Sequence, residues 1–74
     1  MPSNEDIVVE TLKESGCQGQ ENSISPEDLF KKCADKGVSD ERTIEAAIVS
    51  LIDQDIIEYE IDDDTLKTTE IWLM

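Results

Sequence analysis

The stretch Ile44-Glu45-Ala46-Ala47-Ile48-Val49-Ser50-Leu51-Ile52-Asp53-Gln54-Asp55-Ile56-Ile57-Glu58-Tyr59-Glu60-Ile61 changes its hydrophobic period partway along. Up to Ile52, the apolar residues Ile44, Ala47, Ile48, Leu51 and Ile52 recur at helical spacing. From Ile57 onward, Ile57, Tyr59 and Ile61 alternate with Glu58 and Glu60, the pattern of a half-buried strand. A helix running straight into a strand sets the end of the fold. Asp62-Asp63-Asp64 then reads as a turn, and Thr65-Leu66-Lys67-Thr68-Thr69 as the returning strand, which Ile71-Trp72-Leu73-Met74 can extend.

Working back from this stretch, two more helices are predicted. Val38-Ser39-Asp40-Glu41 opens the helix that carries Ile44, with Gly37 closing the one before it. That earlier helix has the clearest start in the chain: Ser25 as N-cap, Pro26 at the first helical position, then Glu27 and Asp28. Its expected apolar face is Leu29, Phe30, Cys33 and Ala34, and Ile24 just before it suits a strand of one or two residues. The first helix is expected after a Ser3 or Asn4 cap, with Val8 and Leu12 on its buried face and Gly16 at its end. The paired Ala46 and Ala47 permit close approach of another helix.

The expectation is an α+β winged helix, a three-helix helix-turn-helix bundle followed by a β-hairpin wing. It occupies a single domain, residues 1–74. Helices are expected at about 4–15, 26–36 and 40–53, and wing strands at about 56–61 and 65–73.

The chain has 19 acids, 6 bases and no histidine, for a net charge of −13. Without histidine, the commonest general base and metal ligand is missing. Cys17 and Cys33 alone do not complete a zinc site, and the glycines are scattered at 16, 19 and 37, unlike a phosphate loop. Neither Asp53/Asp55 nor Asp62/Asp64 has the glycine and distal glutamate of a calcium loop. No enzyme, cofactor or metal is expected.

Duplex reading is expected to be weak or absent. In a helix-turn-helix the third helix enters the major groove. Here Ser39 to Asp55 carries five acids against Arg42, net −4, and Ile56 to Glu70 carries six acids against Lys67, net −5. Such surfaces repel phosphates. Lys31, Lys32 and Lys36 lie together on the second helix, where the simplest role is a solvated face near its C-terminal end. Acidity is open to two readings: attraction of basic partners, or adaptation to salt, as in a halophile whose winged helix binds DNA or regulates transcription.

The polar, acidic start from Met1 to Asp6 is unlike a secretory or transit sequence, and no stretch has transmembrane length. An intracellular protein with reduced thiols is expected, without membrane contact and monomeric. Phe30 is expected in the core. Tyr59 suits wing packing or a contact site, and Trp72 either caps the core or anchors a partner or second copy.

The run Ile56-Ile57-Glu58-Tyr59-Glu60-Ile61-Asp62-Asp63-Asp64-Thr65-Leu66-Lys67-Thr68-Thr69-Glu70, following Ile44 to Ile48, resembles the C-terminal winged-helix domain of the middle subunit of replication protein A. The likeness is densest from Asp62 to Glu70. The family has a glycine at the position of Asp55 and an aromatic at that of Glu58, with Tyr59 one place later. The C-terminal winged helix of the replicative minichromosome maintenance helicase shares the helical order. The first resemblance implies a nuclear module, otherwise a cytoplasmic one, that docks basic amphipathic helices of replication and repair proteins. It places the contact at Gln54, Glu58, Thr69 and Glu70. Tyr59 and Asp62, Asp63 and Asp64 complete the expected surface.

Overall fold

The computed structural model describes residues 3–74; the part of the acidic start that falls on Met1 and Pro2 lies outside the described residues. The architecture is α+β. Three helices, α1 (Asn4–Glu14), α2 (Pro26–Asp35) and α3 (Glu41–Asp53), precede an antiparallel hairpin of β1 (Ile57–Ile61) and β2 (Thr68–Leu73).

Each helix starts at a side-chain cap. Ser3 accepts from the Asp6 amide while Asp6 accepts from that of Ser3, a reciprocal capping box; Ser25 caps α2 and Asp40 caps α3. All three helices end in one hydrogen-bond pattern. The amides of Cys17, Val38 and Ile56 donate to the carbonyls of Leu12, Cys33 and Leu51. Those of Gly16, Gly37 and Asp55 donate to Lys13, Ala34 and Ile52. These are Schellman closures, which need a left-handed residue at the second-to-last position. Gly16 (φ 69°) and Gly37 (φ 97°) supply it in two helices; Asp55 (φ 59°) supplies it in the third.

The helices and one face of the hairpin share a single apolar centre. Val8 and Leu12 from α1, Leu29 and Cys33 from α2, and Ile44, Ala47, Ile48 and Leu51 from α3 meet Ile57, Ile71 and Leu73. Burying each of these aliphatic side chains is worth about 1.5–3 kcal/mol. Ala47 is buried and Ala46 is exposed, so only one of the two alanines serves helix approach. Phe30 and Ile52 are half-buried at the core's edge instead of inside it, and Ala34 is exposed.

Ile24 forms a one-residue antiparallel bridge with Ile71, exchanging hydrogen bonds of 2.9 and 2.8 Å. Gln18 bridges Leu73 in the parallel sense. The outer side of β2 is thereby occupied, which leaves β1 as the sheet's open edge.

Two expectations about the hairpin are corrected. The returning strand starts at Thr68, not Thr65. The Leu66 amide donates to the Asp62 carbonyl at 2.7 Å, and the Asp62 amide to the Lys67 carbonyl at 2.9 Å. Those bonds close a turn over Asp63–Thr65 and hold Leu66 at φ 57°. The first strand is also less buried than its alternation suggests. Ile57 is buried, but Tyr59 and Ile61 are 45% and 42% exposed, because the hairpin runs out past the helices.

Candidate partner-binding surface

Register divides the hairpin into two faces. Ile57 pairs with Leu73 and Tyr59 with Ile71, so Tyr59 and Ile61 continue the face that enters the core. Glu58 pairs with Trp72 and Glu60 with Glu70, on the opposite face. The expected site residues therefore do not form one patch. Glu58 and Glu70 share a face, Tyr59 lies on the other, and Asp62, Asp63 and Asp64 occupy the tip. Thr69 sits at the irregularity between the pairs Glu60–Glu70 and Ile61–Thr68, where its Oγ1 donates to the Glu60 carbonyl at 3.2 Å.

Gln54 is held apart from the hairpin. Its Nε2 donates to Glu5 Oε1 at 3.0 Å and to Ser50 Oγ at 3.1 Å, tying the end of α3 to the start of α1. Beside it opens a cleft of about 410 Å³ between these helices. Its apolar lining is Val9, Leu51 and Ile56; its charged lining is Glu5, Asp6, Glu10 and Lys13. Sequence reasoning missed this cleft. The signal was present in Val9, an apolar residue one step off the buried face of α1.

Among the described residues no hairpin carboxylate is paired with a cation. The salt bridge among the described residues joins Lys36 Nζ to Glu14 Oε2 at 2.7 Å, on another side of the molecule. The hydrogen bond that Lys36 donates to Glu14 is the first cause that pushes the Lys36 ammonium up. On α3, Asp40, Glu41, Arg42, Glu45 and Asp53 are all exposed, as expected for an acidic outer face. Leu66 stands 74% exposed at the hairpin tip.

Trp72 occupies the acidic face yet is only 7% exposed. The segment from Gln18 to Ile24 is pinned to β2 at both ends, and its short 3₁₀ turn, Gln20–Asn22, packs on β2. Gln20 Nε2 reaches Glu60 Oε2 at 3.5 Å, across β2 to β1. That path brings the turn to the face of β2 that carries Trp72. The indole is buried there, on the side opposite Ile71 and Leu73, so it does not cap the core beside them as one expectation had it.

The two cysteines are free and buried. Burial is the main cause that raises both thiols above their ordinary value. Cys33 Sγ lies 3.8 Å from Thr11 Oγ1, which donates to the Ile7 carbonyl at 2.6 Å, so this buried polar contact joins α2 to α1. Among the described residues, no group of three or more potential ligands is placed to hold a metal ion, and no helix is long and apolar enough to cross a membrane.

Comparison with protein-family models, with curated proteins and with solved structures finds no match for the chain.

Proposed function

We propose that the chain is a winged-helix protein-interaction module, not an enzyme, which docks basic helical segments of DNA replication and repair proteins. What supports the winged-helix reading is the order of elements: a helix, the Ile24 bridge, two helices joined through Gly37, then a hairpin whose return strand pairs with Ile24. The replication protein A resemblance supplies the partner class, and with it a nuclear setting.

The observation that carries the reading is the facing pair Glu60 and Glu70, with Glu58 beside them and, among the described residues, no cation paired to any of the three. Like charges opposed across strands destabilise a hairpin. A lysine or arginine on a partner relieves that repulsion, so binding gains what the free protein lacks. Affinity beyond the ionic part would come from apolar side chains at the end of α3 and on the hairpin, notably Ile56, Tyr59 and Leu66, which are exposed. The acidic outer face of α3 argues against duplex contact by the same electrostatics.

A two-dimensional amide NMR titration with a basic amphipathic repair-protein peptide at moderate salt tests this. Shifts concentrated in residues 53–70, weakening as salt rises, are expected. Absence of shifts there would sink the docking role and turn attention to duplex DNA in high salt.

A further inference from the structure

Beyond its buried first residue, Ile57, β1 presents an open edge to solvent. The Ile71 and Leu73 backbone groups bond toward Ile24, Cys17 and Gly19, and the Met74 amide bonds back to the Ile56 carbonyl. Alternation then directs the β1 backbone groups of Glu58 and Glu60 toward β2, and those of Ile57, Tyr59 and Ile61 outward. Among the described residues, none of these outward groups has a hydrogen-bond partner outside the strand pairing. Natural edges of this kind are blunted by charged side chains, lysine above all, by proline or by a bulge. β1 (Ile-Glu-Tyr-Glu-Ile) carries no lysine or proline; its charges are Glu58 and Glu60, which repel an acidic strand and admit a basic one, and its sheet's irregularity falls at the strand's far end, between Glu60 and Ile61.

We infer that this edge accepts an added strand: an extended segment of a partner in which apolar and basic residues alternate. Charge and pattern define the occupant. Apolar residues opposite Tyr59 and Ile61 would cover these two exposed side chains. Basic residues opposite Glu58 and Glu60 would neutralise the face that holds Glu60 against Glu70. A second copy of this chain fits poorly. Antiparallel self-pairing centred on Tyr59 sets Glu58 against Glu60 of the other copy twice. The mode is main-chain addition to a sheet edge, distinct from a helix lying on the surface, and it stands without that proposal.

The test uses the full chain and a capped peptide of alternating valine and lysine, as long as β1. Two modified peptides accompany it, one N-methylated at the valines and one at the lysines. Added antiparallel to β1, the peptide directs its valine amides to β1 and its lysine amides to solvent. Methylation at valine should therefore weaken binding by about tenfold or more, while methylation at lysine leaves it intact. Hydrogen exchange at the Tyr59 and Ile61 amides should slow on binding. The charge-reversed chain, E58K with E60K, should prefer a valine–glutamate peptide. The inference is overturned by absence of binding, by equal binding of the two methylated peptides, or by saturation without slowed exchange at Tyr59 and Ile61. Concentration-dependent protection of those amides in the chain alone would give the edge to a second copy and overturn it equally.

Discussion

Glu60 and Glu70 stand directly opposite one another in the hairpin register, on the face turned away from the helical core. Directly opposed residues have Cβ atoms about 4.5–5.5 Å apart. The two carboxylates repel, and among the described residues the one side-chain hydrogen bond to either, from Gln20 to Glu60 at 3.5 Å, is long and brings no opposite charge. Glu70→Lys should then stabilise the chain by about 0.5–1 kcal/mol, with the gain shrinking as salt screens it. The same substitution should weaken a basic peptide. Urea midpoints at low and high salt, beside peptide affinities, check both signs. A stabilised variant that binds the peptide as tightly as the parent would remove Glu70 from the contact.

Asp55 occupies in α3 the closure position that Gly16 and Gly37 occupy in α1 and α2. An L-residue held at φ 59° is strained by its Cβ, and aspartate tolerates this better than most without matching glycine. Asp55→Gly should raise stability by about 0.5–1 kcal/mol after allowing for the freer unfolded chain. Gly37→Asp should lower it by a similar amount; nothing lies within 4 Å of an added Cβ there, so the loss would come from backbone strain alone. Denaturant unfolding of the two variants separates these effects. Should both move in the same direction, the closure argument fails.

These positions also explain how much could be read in advance. Helix starts and stops were legible because the signals are local: Ser3, Ser25 and Asp40 cap, and Gly16 and Gly37 close. The Ile24 strand was legible from one apolar residue placed just before a cap. The start of β2 was not, because threonine favours strands while the bonds from Leu66 to Asp62 and from Asp62 to Lys67 favour a turn. The acids of the surface were legible as charge, but their division between two faces follows from strand parity and register. Burial of Trp72 on the face away from the core goes with a segment some fifty positions earlier, Gln18–Ile24, which bridges β2 on either side of it and which no local pattern reports.

Raising the pH should destabilise the chain through its thiols. Burial pushes both above the ordinary value of 9.0, with Lys32 drawing Cys17 back and Thr11 and Lys36 drawing Cys33 back. In the unfolded chain the thiols ionise near 9.0; in the folded chain they hold their protons to higher pH. The stability tied to the neutral thiols is thus complete below 9.0 and is lost as pH climbs toward the raised folded values. Lys36, raised by Glu14, acts in the same direction at higher pH. Urea midpoints at about pH 7 and about pH 10 should differ, and the double variant C17A/C33A should show a smaller drop. An equal drop in the double variant would remove the thiols from the account and leave it to Lys36.

Trp72, the single tryptophan, separates a structural role from a contact role. It lies on the acidic face, where a partner anchor would be expected, but the Gln18–Ile24 segment runs above it and Gln20 reaches past it to Glu60. Truncation to alanine would empty the space beneath that turn and loosen its hold on β2. Trp72→Ala should therefore cost about 3–5 kcal/mol, the range for a buried large aromatic. In a chain this small such a loss consumes much of the stability. Emission of the folded chain should be blue-shifted, moving red on unfolding in urea. Peptide binding should leave it nearly unchanged, since the indole is already covered. A variant with near-parental stability, or a large emission change on peptide binding, would mean that the turn opens and Trp72 meets the partner directly.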